Sequence, residues 1–386
     1  MIVYVKTQGS RIIKEGRHLL VKKGEDTCNT LFTYKLRQLV IFGNVEITHR
    51  ALAQLMRYEI DTVFLTQNGR YLGRIASPES RNVFLHKRQY DLLDDQVFSL
   101  RMARAIVSGK LINMATLLMR IKRTKNDNLP GTKAHEIQDL LRPLQNADNL
   151  DSIRGYEGRG SALYFGAFSR GFVEDTGFSR RVRRPPTDPV NSILSLLYTF
   201  LMNRVYAAVR VAGLDPYPGF LHSIDYGRYS LVLDLMEEFR TIIADTLTLS
   251  LFNLRILKKE DFYLEVPIGE EEYYQAPAER LTDVTKDPMG LISPVAEDAD
   301  SFDLPHQRMD EEGAVVSPPA AKHPVKLHRE AFQRVIEAFE KKLTTQFHYP
   351  PAGRQLTYSE ALLFQAAHYR QVLEGEAAIY QPVLLK

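Results

Sequence analysis

The sequence predicts an α+β chain in which an N-terminal β-rich, sandwich-like domain precedes a C-terminal all-helical one. Two patterns carry that expectation. Short runs of β-branched and aromatic residues separated by turn residues fill the first 80 positions, whereas from about Asn82 apolar residues recur every three and four positions. Size allows both parts a core, since 386 residues with 44% apolar content suffice for two ordinary domains and exclude a disordered chain. The expected divisions are 1–82 for the β-rich domain, 83–270 for the helical domain, 271–325 for an acidic surface insertion and 326–386 for helices packing back on the helical domain.

Strands are expected at Ile2 to Val5, His18 to Val21, Leu39 to Phe42 and Thr62 to Leu65, with one short helix from Arg50 to Tyr58. In TVFLTQNGRYLGRI, Asn68-Gly69 offers the positive-φ pair that a tight hairpin turn requires. Beyond Asn82 the residues Val97, Leu100, Met102, Ile106, Ile112, Leu117 and Leu118 mark an apolar helical stripe. RTKNDNLPGTK, residues 123–133, reads as a polar loop around its Pro-Gly pair. RRVRRPPTDP, residues 180–189, reads as a basic loop that ends where Asp188 caps a helix and Pro189 opens it. That helix continues through Leu194, Leu197, Leu201 and Val205, and another is expected from about Tyr229 to Asn253. Residues 267–325, rich in Pro, Glu, Asp and Ala, predict an irregular surface segment. Two amphipathic helices follow, in AFQRVIEAFEKKL and YSEALLFQAAHYRQVLEG.

The single cysteine, Cys28, rules out an internal disulfide and a thiolate metal cluster, which leaves the cytosol as the default compartment. Neither a signal peptide nor a membrane span is expected. The net charge of +3 conceals opposed blocks. Residues 1–190 hold 31 basic and 19 acidic side chains, a balance of +12, whereas residues 271–325 stand at −8. A basic half beside an acidic cluster suits a metal-using enzyme acting on a polyanion, and it is equally the pattern of a solvated charged surface.

The chemistry concentrates in GFLHSIDYGRYSLVLDLMEEFR, residues 219–240. In a helix Asp234, Glu237 and Glu238 stand at i, i+3 and i+4, three carboxylates on one face among Leu231, Val232, Leu233, Leu235, Met236 and Phe239. Buried carboxylates demand compensation, either by a divalent cation or by basic side chains. His222, before a break at Gly227, can fold back beside the cluster. In RGYEGRGSALYFGAF, residues 154–168, Glu157 lies between Gly155 and Gly158, small neighbours that allow close approach of a helix or a phosphate backbone. An alternative is a first-turn glutamate favoured by the helix dipole.

EGRGSALYF, RPPTDPVNSILSLLYTFL and GLDPYPGFLHSIDYGRYSLVLDLMEEFR, in this order and spacing, resemble the CRISPR-associated adaptation integrase family, also described as the DNA endonuclease of that system. The resemblance implies a β-rich N-terminal domain and a helical C-terminal catalytic domain that holds Mn²⁺ or Mg²⁺ through Glu, His and an acid. By position these are Glu157, His222 and Glu237, with Asp234 as the acidic neighbour one turn earlier. Glu237 stands where some members carry Asp; both are hard oxygen donors suited to these ions. Glu238 is expected to support the site or form a salt bridge. Asn191 and Tyr198 are placed to face it, although capping and core packing also account for them. Arg154, Arg159, Arg183 and Arg184 are candidate phosphate contacts.

The activity implied is transesterification joining the 3′-hydroxyl ends of a captured short duplex to the repeat boundary of a CRISPR array. The partners implied are double-stranded and branched DNA, a second copy of the chain and a small ferredoxin-like adaptation subunit. The alternatives are a stand-alone metal-dependent nuclease on branched DNA and a non-catalytic DNA-binding scaffold.

Overall fold

The computed structural model describes residues 2–36, 38–66, 71–75, 82–182, 185–264, 324–349 and 353–385. Its N-terminal part holds two four-stranded sheets. One orders its strands β1-β5-β7-β8, where β1 is Ile2–Val5, β5 Gln38–Phe42, β7 Asp61–Leu65 and β8 Tyr71–Ile75. The other comprises β2 (Ser10–Glu15), β3 (His18–Lys23), β4 (Asp26–Phe32) and β6 (Val45–Ile47), ordered β4-β3-β2-β6. Helix α1, His49–Arg57, starts where the Thr48 hydroxyl accepts from the Ala51 amide, closing the α1 N-terminus. β7 and β8 pair antiparallel, Thr62 opposite Ile75, as the alternation required; the Asn68-Gly69 turn lies outside the described residues.

β5, QLVIF, is buried at every position because each of its faces meets a different core. Leu39 and Ile41 pack with Val5, Ile12, Leu19, Val21 and Leu31 between the two sheets, the sandwich arrangement expected. Val40 and Phe42, with Val63 and Leu65, join the core of the helical part. Phe42 meets Phe332 at 5.2 Å between ring centroids, and the Arg74 guanidinium lies 3.4 Å over the Tyr206 ring while pairing with Asp61. The two parts therefore share a continuous apolar core across residue 82.

The helical part contains α2 (Val83–Asp91), α3 (Gln96–Lys125), α4 (Asn128–Asp139), α5 (Leu141–Gln145), α6 (Leu150–Phe168), α7 (Pro189–Val211), α8 (Ser230–Phe239), α9 (Thr246–Asn253), α10 (Arg329–Thr344) and α11 (Tyr358–Glu374). α3 is the spine, packed against α4, α6 and α8. α3 and α7 are long and apolar enough to cross a bilayer by composition, but most of each apolar stretch is buried inside the molecule. The part is not wholly helical: β9 (Phe262–Leu264) pairs with β10 (Val325–Leu327), and β11 (Gln346–Tyr349) with β12 (Arg354–Thr357).

The structure corrects the loop expected at 123–133. α3 runs through Lys125, Asn126 turns the chain at φ 50°, and the Asp127 carboxylate caps α4 by accepting from the Leu129 amide. Pro130 and Gly131 lie in the opening turns of α4, where a missing proline N–H breaks no helical bond. Asp188 and Pro189 start α7 as the sequence indicated, the Asp188 carboxylate accepting from the Asn191 amide at 2.9 Å. The helix expected over 229–253 is present but interrupted, since Arg240–Asp245 winds as a π-helix between α8 and α9. Apart from residues 324 and 325, the acidic insertion at 271–325 lies outside the described residues.

Candidate active site

Glu157 projects from the middle of α6, capped at its start by the Asn149 side chain, so the first-turn placement does not hold. Around Glu157, Gly155 and Gly158 have nothing within 4 Å of where a side chain would start; the close helix approach occurs at Gly160, against Leu111. The surface of α6 at Gly155 and Gly158 is thus backbone open to solvent.

The segment between α7 and α8 is moulded onto a single carboxylate. Asp234, fully buried, accepts from the backbone amides of Phe220 at 2.6 Å, Leu221 at 2.9 Å and His222 at 3.0 Å. Gly219 makes this fit, because a Cβ there would stand 2.6 Å from the Ser230 carbonyl carbon and 2.8 Å from Asp234 Oδ2. The same carboxylate meets His222 Nδ1 at 2.7 Å. A carboxylate only accepts, so Nδ1 carries the proton and donates, which leaves the Nε2 lone pair for another partner. Nε2 faces Glu237 Oε1 at 3.8 Å, too far for a hydrogen bond. Asp234 therefore acts through His222.

Glu237, one turn further along α8, is buried among cations. Arg240 lies 3.3 Å from its Oε1, and the Lys110 ammonium, reaching in from α3, lies 2.5 Å from its Oε2. Lys110 also pairs with Glu157, whose Oε1 accepts from the Ser161 hydroxyl at 2.9 Å. Burial alone would raise the Glu237 carboxyl, but Arg240, Lys110 and His222 outweigh it and hold the group down to about 2. Against the same burial penalty, Lys110 holds Glu157 below the ordinary glutamate value, while Glu157 and Glu237 raise Lys110. Both acids are ionised at neutral pH.

Three separate chain segments thus bring Glu157, His222 and Glu237 around one opening, through which Glu157 and His222 keep 27% and 21% of their side-chain surface exposed while Lys110 lies beneath at 5%. The donors fit Mn²⁺ or Mg²⁺: two hard carboxylates and an imidazole with its lone pair directed at Glu237 Oε1. Glu237 Oε2, buried, is met by the Lys110 ammonium at 2.5 Å. Among the described residues no three His, Cys, Asp or Glu side chains yet converge as ligands on one point; an ammonium stands between the two glutamates instead.

The remaining candidates are distributed differently. Among the described residues Glu238 forms no salt bridge: its carboxylate accepts from the Tyr380 hydroxyl, the Val383 amide and the Gln365 side chain, on the side of α8 facing the C-terminal residues. The three carboxylates of the motif consequently do not share one face. Burial pushes Glu238 up to about 8, against those three donors. Asn191 is a clamp, its amide capped by Asp188 and its Oδ1 accepting from Arg181 and from the Val182 amide. Tyr198 donates to Asp245 at 2.7 Å and lies under the Arg240 guanidinium at 4.8 Å, so it touches the site through Arg240. Arg154 donates to the Leu221 carbonyl at 2.8 Å and tethers the His222 segment to α6. Arg159 is exposed on α6, and Arg183 and Arg184 lie outside the described residues.

Sequence reading did not single out Lys110. Its signal was available: it lies four residues after Ile106 and seven before Leu117, a charge on the apolar stripe of α3. Nor does the sequence reading single out Arg240 or Ser161.

A β sandwich fused to a helical core, with an acid–imidazole cluster set between α3, α6 and α8, defines a fold shared with known proteins. Residues 3–267 match the family model for CRISPR associated protein Cas1, and the chain belongs to that family. It is 30% identical over 388 residues to CRISPR-associated endonuclease Cas1 3 of Thermus thermophilus, covering all of this chain and 97% of the relative. Two solved structures share the fold. A casposase bound to integration product aligns with a TM-score of 0.75 at 19% identity, over 98% of this chain and 92% of that one. A chain of a Cas6-RT-Cas1–Cas2 complex aligns with a TM-score of 0.75 at 21% identity, over 99% of this chain and 36% of that one.

Proposed function

We propose that the protein is a metal-dependent DNA integrase and endonuclease of CRISPR adaptation. It joins the 3′-hydroxyl ends of a captured short duplex to the repeat boundary of a CRISPR array. The observation that carries this reading is the grouping of Glu157 and Glu237 about the Lys110 ammonium, with His222 Nε2 3.8 Å from Glu237 and the imidazole fixed by Asp234. Membership of the Cas1 family, a relative named as an endonuclease and a fold shared with a casposase bound to integration product support it.

The reaction exchanges one phosphodiester for another. The incoming 3′-oxygen bonds to phosphorus as the oxygen linking the target strand departs, so no external energy source is needed. Water in place of the 3′-hydroxyl gives hydrolysis, and the reverse exchange releases a branched strand. Mn²⁺ or Mg²⁺, held by Glu157, His222 and Glu237, would polarise the phosphate and absorb developing negative charge. The chain's own residues prepare the site. Asp234 keeps the His222 proton on Nδ1, Arg154 fixes the segment carrying it, and Arg240 keeps Glu237 ionised. Gly155 and Gly158 leave the surface of α6 open to a nucleic-acid backbone, and exposed Arg159 offers it a charge. A homodimer working with double-stranded or branched DNA and a small ferredoxin-like adaptation subunit belongs to the same proposal; the shared fold of a chain from a Cas1–Cas2 complex supports the last.

The test incubates purified protein, with and without the small subunit, with a labelled duplex and a supercoiled array plasmid. Mn²⁺-dependent joined products that disappear in Glu157→Ala, His222→Ala and Glu237→Ala, with DNA binding retained, are expected. Cleavage of branched DNA without joining would favour the stand-alone nuclease. Binding with no Glu157-dependent chemistry would leave a scaffold.

A further inference from the structure

Lys110 has no role in the reading above, yet it is the most unusual side chain in the helical part. A lysine with 5% of its side chain exposed is costly to desolvate unless paired, and its ammonium lies between the two glutamates assigned to the cation. We infer that Lys110 is a built-in counter-cation, which occupies the divalent ion's electrostatic place in the metal-free protein and competes with that ion for Glu157 and Glu237. This rests on the proposed assignment of Glu157 and Glu237 as ligands.

Charge counting supports it. Glu157, Glu237 and Asp234 bring three negative charges to the cluster, whereas Lys110 and Arg240 supply two positive ones, and Asp234 is already committed to His222 and three amides. Without Lys110, Glu157 and Glu237 would face each other across a buried space with Arg240, His222 and the Ser161 hydroxyl left to compensate, and the metal-free fold would be destabilised. With it, the cluster assembles before any ion arrives. The cost falls on ion affinity, because a divalent cation entering between Glu157 and Glu237 meets a resident positive charge and must displace it from at least one carboxylate. Lys110 bridges both acids, whereas the Arg240 guanidinium lies 3.3 Å from Glu237 Oε1, the oxygen that His222 Nε2 also faces.

The experiment measures Mn²⁺ binding by calorimetry and by electron paramagnetic resonance of the free ion, alongside thermal unfolding with and without Mn²⁺. It compares wild type, Lys110→Met, Glu157→Gln and the double variant. Lys110→Met is expected to bind Mn²⁺ at least about tenfold more tightly, to melt several degrees lower without metal, and to gain more from Mn²⁺ than wild type does. Should metal-free Lys110→Met not fold, the double variant, which lacks one repelling carboxylate charge, recovers folding under the proposal. Mn²⁺ binding that depends on Glu157 but is equal or weaker in Lys110→Met overturns the counter-cation role and leaves the ligand assignment standing. Mn²⁺ binding insensitive to Glu157→Gln in both backgrounds overturns both.

Discussion

Glu237 and Glu238 are neighbours on α8, equally buried, and the protein treats them in opposite ways. Glu237 faces α3 and α6, where Lys110, Arg240 and His222 keep it ionised; Glu238 faces the C-terminal residues, where hydroxyl and amide donors leave burial dominant and the acid largely protonated at neutral pH. Burial is the same for both. What differs is whether the surrounding groups carry full positive charge or only dipoles, and a full charge at contact distance outweighs several neutral hydrogen bonds. Of the two, only the charged side opens to solvent. The neutral side forms a latch: Asn113 donates to the Glu238 and Val383 carbonyls and accepts from the Leu385 amide, tying α3, α8 and the last residues together.

The largest effect separating the two sides is on chemistry. Glu237→Gln should lower Mn²⁺-dependent strand joining by on the order of 10²–10³, whereas Glu238→Gln should leave it within a few-fold, as quantified from labelled joined products. Equal losses would erase the distinction. Next, Asp234→Asn, which touches the site only through His222 and the loop amides, should weaken Mn²⁺ binding by roughly 10–100-fold in calorimetry.

Stability against pH sharpens the same contrast. Glu238 holds its proton more tightly folded than unfolded, about 8 against 4.5, so its stabilising contribution is present below pH 4.5 and is lost as the pH rises to about 8. Glu237 is the reverse: its contribution is present above pH 4.5 and drains as the pH falls toward 2. Glu238→Gln should therefore flatten the fall in stability between pH 5 and 8 and raise stability above pH 8, by about 5 kcal/mol at most. Urea unfolding at pH 5, 7 and 8.5 measures it, and an unchanged slope would mean that Glu238 is ionised in the fold. The smallest effect is expected for Tyr380→Phe, which removes one donor from Glu238 and should cost about 1–2 kcal/mol in the same assay.

Much of this arrangement was legible in the sequence. Alternation and helical spacing located β1, β3, β5, β7, α1, α3 and α7, and Asp188-Pro189 marked the start of α7, because periodicity and capping are local properties. The motifs around Glu157, His222 and Asp234–Glu238 also stood out, since carboxylates inside apolar runs are costly enough to need a reason. The Pro-Gly pair misled at 130–131, where position within a helix's opening turns cancels the usual cost of proline. What the chain order could not contain was partnership. Helical spacing put Glu237 and Glu238 on one face, but a buried helix is contacted all round, and only the packing of α3, α6 and α11 about α8 decided that one glutamate meets Lys110 and the other Tyr380. Sequence by itself determined which side chains would be expensive to bury; tertiary structure decided what compensates each, because the electrostatic environment of a buried charge is set by neighbours distant along the chain.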